Sequence, residues 1–188
     1  MSTLPRALAV LAIALLPPGP AAAQTTMTMP APAAPAEEPA EKRERLVFAL
    51  DDPNWDVALQ QVGENRTLTE WMPDGQSAKA WREKLTYQTL EGLPKLASLD
   101  GFLEQIIEGV KKTCPTARLT FLRRSATDAL YELVVKGCAT QPDQNELVRV
   151  VHGRDATHTL HYAVRGVIEP ARRNRWRSLL EQARIVRE

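Results

Sequence analysis

Four runs succeed one another between Ala117 and Gly166: "ARLTFLRR", "ALYELVVKG", "ELVRVVHG" and "THTLHYAVRG". Each is rich in β-branched and aromatic residues and adjoins a short polar connection, the signature of strands. A chain that turns back this often through short loops makes an antiparallel sheet, and such a sheet needs helices over its apolar sides. Upstream, "WDVALQQV" and "NRTLTEWM" flank "GEN" and predict a hairpin, because Gly63 and Asn65 tolerate the positive φ that tight connections demand. "PDGQSAKAWREKL" predicts a turn at Pro73-Asp74-Gly75 and a short helix, N-capped by Ser77, that buries Trp81 and Leu85. "TYQTL" returns as a strand. From Ser98, the residues Leu99, Phe102, Leu103, Ile106, Ile107 and Val110 recur on one helical face. A last helix starts near Pro170 and carries Trp176, Leu179, Leu180 and Ala183 on one side. The expected fold is α+β: a mainly antiparallel sheet of six to seven strands flanked by helices, in the order β-β-α-β-α-β-β-β-β-α.

This domain spans residues 45–188, one domain's worth of chain. Residues 1–23 read as an export signal, with Arg6, the apolar core "ALAVLAIALL", a "PPGP" break and "AAA" before Gln24. The core is short for a membrane span, so cleavage after Ala23 and no stable membrane insertion are expected. Residues 24–44 form a Pro/Ala-rich tether, "MTMPAPAAPAEEPA" at its centre, without an aromatic residue, Leu, Ile or Val to dock it. The expected location is therefore the periplasm or beyond. The chain holds 24 Lys+Arg and 23 Asp+Glu, and losing Arg6 with the signal leaves the two signs equal. That balance argues against a nucleic-acid binder.

The two cysteines, Cys114 and Cys138, suit an oxidising compartment and have no C-x-x-C spacing. With "SATD" as a loop, Arg124 faces Ala129 and Ala117 faces Lys136, which sets Cys114 beside the Cys138/Ala139 end of the same hairpin, within reach of a disulfide. All three histidines lie in the last hairpin. Turned at "GRDA", it sets His152 against Thr157, Val151 against His158 and Val148 against His161. His152 and His161 then share a face about four residue rises of ~3.3 Å apart, and His158 lies on the other, so no metal site is expected. There is no Gly-rich phosphate loop, G-x-S-x-G elbow or H-E-x-x-H, and no cofactor is expected. Asp143, Glu146 and His161 are the polar groups that a pocket between sheet and helix would use. The arginines of the last helix read as its solvated side.

The run "TLTEWMPDGQSAKAWREKLTYQ" resembles the PsbP-like and Mog-type α/β/α sandwich, and "TCP", "VKGC", "PDQNELVRVVHG" and "HTLHYAVR" resemble small exported bacterial proteins of that fold. The resemblance covers about Asp51 to Ile185. It implies a non-catalytic scaffold, since better-known relatives, a Ran-binding nuclear import factor and an extrinsic photosystem subunit, act by docking on other proteins. No functional residue carries over from them, and the export signal and cysteine pair depart from the nuclear relative. The expected function is an exported binding or accessory module of the bacterial envelope that docks on another protein. The alternative is a small periplasmic enzyme or ligand carrier. For docking, Trp71, Asp74, Gly75, Gln76 and Trp81 are the expected interface, because aromatics beside a loop often anchor one.

Overall fold

The computed structural model describes residues 43–52, 54–139 and 141–188. The predicted signal and nearly all of the predicted tether fall outside these residues. Glu44, the last residue assigned to the tether, lies within a strand.

Seven strands make one antiparallel sheet: β2 (Trp55–Val62), β3 (Arg66–Pro73), β4 (Glu83–Glu91), β5 (Arg118–Arg124), β6 (Asp128–Val135), β7 (Gln144–His152) and β8 (Ala156–Arg165). Their spatial order is β2-β3-β4-β8-β7-β6-β5. Two meanders, β2-β3-β4 and β5-β6-β7-β8, thus meet where β4 pairs with β8. The crossover between the meanders contains the single turn α1 (Leu93–Leu96) and the helix α2 (Leu99–Thr113). The second small sheet joins β1 (Glu44–Val47) to β9 (Arg184–Arg187), which follows α3 (Pro170–Gln182).

The alternation of each strand divides the core in two. Ala129, Tyr131, Leu133, Val135, Val148 and Val150 point to one side and pack with Leu99 and Leu103 of α2. Leu85, Leu130, Leu147, Leu160 and Tyr162 point to the other and pack with Trp176 and Leu180 of α3 and Leu46 of β1. Trp176 stacks on Tyr162 at 4.3 Å and meets Trp55 edge-on at 5.5 Å. Helix α2 begins as its sequence dictates: Ser98 Oγ accepts the Gly101 N–H at 3.2 Å, and Lys111 and Lys112 close it at the negative end of its dipole.

Two expected helices differ. The helix predicted over residues 77–85 does not form. Trp81 and Leu85 are four apart, which suggests one helical face, but Leu85 and Tyr87 also alternate, and pairing with Tyr162 and Leu160 of β8 puts both on the α3 side. In the loop before β4, Gln76 Oε1 instead accepts the N–H groups of Arg82 and Glu83 at 2.5 and 3.2 Å. The last helix also stops early. After Gln182 the chain extends as β9, because Ile185 faces Leu46 across the β1–β9 pair. The β2–β3 hairpin forms as expected, but neither Gly63 nor Asn65 takes a positive φ.

Two buried charges fasten the α3 side. Arg149, 7% exposed, donates from Nη1 to the carbonyls of Leu180, Glu181 and Ala183 at the end of α3, and from Nη2 to Asp128 at 2.8 Å. Glu44 extends from β1 into the β7–β8 turn, where its carboxylate accepts the N–H groups of Arg154, Asp155 and Ala156 and the fork of Arg187. Its side chain is 1% exposed. Gly153 is required here by proximity: a Cβ would collide with Glu44 Oε2 and lie 2.9 Å from the Ala156 carbonyl.

Candidate functional site

Strands β7 and β8 pair in the register that the sequence predicts, with His152 level with Thr157, Val151 with His158 and Val148 with His161. The histidines do not converge. His152 Nδ1 lies 2.9 Å from Thr157 Oγ1. His158 is fully buried on the α3 side, its Nδ1 2.9 Å from the Tyr87 hydroxyl and its ring stacked on that of Tyr87. Burial pushes its pKa down to about 4, against the opposing attraction of Glu44. At neutral pH it is an uncharged core residue. Among the described residues no group of three His, Cys, Asp or Glu side chains is placed to hold a metal ion.

Glu146 and His161 do meet, with Oε2 and Nδ1 3.3 Å apart, and Gln144 Nε2 donates to Glu146 Oε1 at 2.6 Å. On the same side of the sheet, Lys84 Nζ and Thr86 Oγ1 donate to Glu70 Oε1 at 2.5 and 3.1 Å. Register sets Glu70, Thr86 and His161 side by side across β3, β4 and β8, so the two groups form one polar row. Thr159 stands next along β8, 3% exposed, with an Oγ1 that has no partner among the described residues. Asp143 lies elsewhere. Its Oδ1 accepts the Gly137 N–H at 2.7 Å, and its carbonyl accepts that of Gly166 at 3.0 Å, so it fastens the loop before β7.

The residues expected at an interface are likewise separated. Trp81 is 8% exposed and packs with Met72 and Ala163 on the α2 side, with Lys84 and Arg165 over its ring at 5.2 and 4.9 Å. Trp71 is half-buried on the α3 side, edge-on to Phe48 at 5.6 Å. The two indoles thus serve opposite halves of the core. Gly75, φ 77°, turns the chain between them, and Gln76 braces the loop. Asp74 alone of the five faces solvent next to other unpaired charge.

Cys114 and Cys138 are joined as a disulfide, with Cα atoms 5.3 Å apart. A bulge at Leu122 corrects the expected register: Arg124 faces Ala129, but Arg118 faces Val134, one residue off the pairing that would put Ala117 against Lys136. The shift sets Thr116 beside Lys136, whose carbonyl accepts the Thr116 hydroxyl at 2.6 Å.

The arginines of α3 are paired rather than merely solvated. Arg172 holds Glu83, Arg173 holds Glu132, and Arg177 holds Glu181. Arg175 reaches Asp51 at 3.8 Å.

Among the described residues, no element covers the β2 margin. β2 is the outermost strand, and after Trp55 its residues are exposed or half-exposed, with Val57 57% and Val62 76% accessible. The Gly63 N–H donates to the Arg66 carbonyl at 2.7 Å. Alternation from that pair makes Gln61–Leu68 a bonded pair and turns the N–H and C=O groups of Gln60 and Val62 outward. A bulge at Ala58 interrupts the ladder. The opposite margin, β5, is guarded differently: Leu119 and Phe121 pack into the α2 core, and Arg124 ties to Asp100 of α2. Two clefts adjoin β2. One, of about 850 Å³, is lined by Val62, Arg43, Arg66, Glu91, Arg154 and Arg187 among others. The other, of about 490 Å³, opens where β2 begins, against Asp52, Asn54, Trp55, Asp74, Glu83 and Arg172. Sequence reasoning recognised β2 as a strand but missed its role. The signal was present: Gln60 and Gln61 are adjacent, so neither face of the strand is continuously apolar, the pattern of a sheet margin.

No protein-family model matches the chain, and no curated protein does. Among solved structures the chain is similar to the Saccharomyces cerevisiae Ran-binding protein Mog1p, with 12% identity and a TM-score of 0.49 over 75% of this chain and 91% of that one. It is also similar to a point mutant of protein Mog1, with 12% identity and a TM-score of 0.46 over 76% of this chain and 95% of the other. Both belong to the Mog type, one of the two kinds that the sequence resembles; the PsbP-like part of that resemblance has no counterpart in these matches. No residue role passes from them at this identity. Among the described residues, no helix is long and apolar enough to cross a membrane.

Proposed function

We propose that the chain is a non-catalytic binding module that docks on another protein of the bacterial cell envelope through the β2 margin, which no other described residue covers. The observation that carries this reading is the exposure of an eight-residue outer strand with Val57 and Val62 accessible and the polar backbone of Gln60 and Val62 turned outward. Proteins usually blunt such margins with charge or cover, because they template pairing with another chain. Here Asp56 is the strand's only charged residue. An extended partner segment adds there as an eighth strand, with main-chain bonds supplying affinity. The envelope location follows from the export signal read in the sequence.

The test is photo-crosslinking in producing cells, with the probe amino acid at Gln60 or Val62 and, for comparison, at Thr120 on β5. A single dominant partner captured from β2 alone is the expected result. Gln60→Pro removes an outward donor while sparing the bonds to β3, so the fold should persist and capture should fall at least tenfold. Equal capture from both margins, or capture unaffected by Gln60→Pro, would overturn the proposal.

A second reading, a ligand carrier or small enzyme, attaches to the row of Glu70, Thr86, His161 and Glu146 beside the unpartnered Thr159 hydroxyl. Perturbation of His161 resonances by a small polar metabolite, abolished in Glu146→Gln, would favour it.

A further inference from the structure

The charge around the start of β2 specifies the kind of segment that the margin accepts. At the 490 Å³ cleft, the protein's own cations are engaged: Arg172 donates to both oxygens of Glu83 at 2.6 Å, and Arg175 is held by Asp51. The Glu83 carboxylate is further occupied by the Tyr162 hydroxyl at 2.7 Å. Asp51 accepts the Trp55 indole N–H at 2.9 Å. Three carboxylates are left without a cation, although Asp52 Oδ1 accepts the Asn54 N–H at 2.9 Å. Asp52, Asp56 and Asp74 are exposed, and among the described residues no Lys, Arg or His forms an ion pair with them. Asp74 is level with Asn54, whose carbonyl accepts its N–H at 3.0 Å, so this negative charge sits at the end of the hairpin that presents the margin. Contact with Asp56 holds the Asp74 carboxyl above its ordinary pKa, and the charge on Asp52 adds to the effect. The crowding is electrostatically unfavourable until a cation arrives. Trp55 gives the cleft an aromatic wall, against which the stem of a long basic side chain packs.

We infer that the β2 margin takes an extended partner segment carrying a lysine or arginine, whose cationic head lodges against Asp52 and Asp74 in the cleft at the strand's N-terminal end. The inference rests on β2 being the docking strand. It adds the partner's chemistry: an alternating, β-forming segment with a basic residue at the end that lies beside Trp55, and no acidic residue there. Main-chain pairing along Leu59–Val62 supplies the bulk of the contact, and the basic residue favours the direction that brings it to the carboxylates beside Trp55, since the cleft around Val62 balances Glu44, Glu64, Glu91 and Asp155 with Arg43, Arg66, Arg154 and Arg187.

The experiment uses the full chain and three synthetic nine-residue peptides of alternating valine and threonine, identical except for a terminal lysine, glutamate or norleucine. Binding is followed by indole fluorescence at low salt. The lysine peptide is expected to bind at least tenfold more tightly than the glutamate peptide, with the preference shrinking as salt is raised. Asp52→Asn with Asp74→Asn should remove the preference and leave norleucine binding unchanged; both positions are exposed, so the fold should persist. Equal affinity for all three peptides would overturn the basic-partner inference while leaving the docking strand standing. Loss of all binding in Gln60→Pro would confirm that the peptides occupy the strand. Failure of every peptide to bind, together with partner capture unchanged by Gln60→Pro, would sink the docking strand and the inference with it.

Discussion

His158 and Glu44 are adjacent in the structure's logic but opposite in chemistry. One is buried without charge, the other buried with it. His158, with its pKa moved from 6.5 down to about 4, must stay neutral in the fold. The unfolded chain therefore takes up its proton first as pH falls. Stability from this site is complete above about 6.5 and is lost between there and about 4. Burial alone would raise the Glu44 pKa, but the turn N–H groups and Arg187 outweigh it and bring the value from 4.5 to about 2. Its contribution is complete above about 4.5 and is lost as pH falls toward 2. Each shift corresponds to roughly 3 kcal/mol. Urea unfolding between pH 7 and pH 3 should thus show stability falling steadily. His158→Gln should flatten the fall between 6.5 and 4 and leave the lower part intact, and Glu44→Gln should do the reverse. An unchanged slope in either variant would contradict its assignment. Neither role was legible in the sequence. A lone Glu before "RLV" and a His within a strand show their meaning only after β1 has been laid across the β7–β8 turn.

At the scale of elements, the hairpins and the strongly amphipathic α2 were readable because their information is local: alternation, turn residues and an N-capping serine. The failures had non-local causes. Residues 77–85 carry a helical spacing, but β8 supplied a better partner for Leu85 and Tyr87. Helix α3 is only weakly amphipathic and lacks a side-chain N-cap. Its C-terminal end is defined from outside, by Arg149 beneath its last carbonyls. Arg149→Ala should cost about 3–5 kcal/mol in chemical denaturation, because it removes a buried donor shared by three carbonyls and leaves Asp128 with Arg123 as its remaining cation. Arg149→Lys should recover little, as an ammonium lacks the fork. A loss below 1 kcal/mol would mean that α3 ends there for other reasons. The disulfide acts on a different element, the open end of the β5–β6 hairpin. Cys114→Ser should lower stability by roughly 3 kcal/mol with little change in far-ultraviolet dichroism. Two thiols titrating freely in protein from its native compartment would contradict the pairing.

For the whole molecule, the sheet order follows from the two meanders, and the sequence implied the β2–β3 hairpin and the β5-β6-β7-β8 meander but neither the direct β3–β4 pairing nor how the two meanders join. The candidate site was less legible still. Trp71 and Trp81 drew attention as aromatics, whereas the structure gives one to each half of the core and leaves the accessible surface to the plainer residues of β2. A strand becomes outermost only through the placement of every other strand, so its own residues record this weakly. One more property of the assembly lies where β1 meets β9. The Arg43 N–H donates to the Glu188 carbonyl at 2.8 Å, and the Glu188 N–H donates back to Arg43 at 3.2 Å. The four residue pairs of β1 and β9 therefore act as a clasp: a pull applied between Arg43 and Glu188 would open them one after another before it loaded the larger sheet.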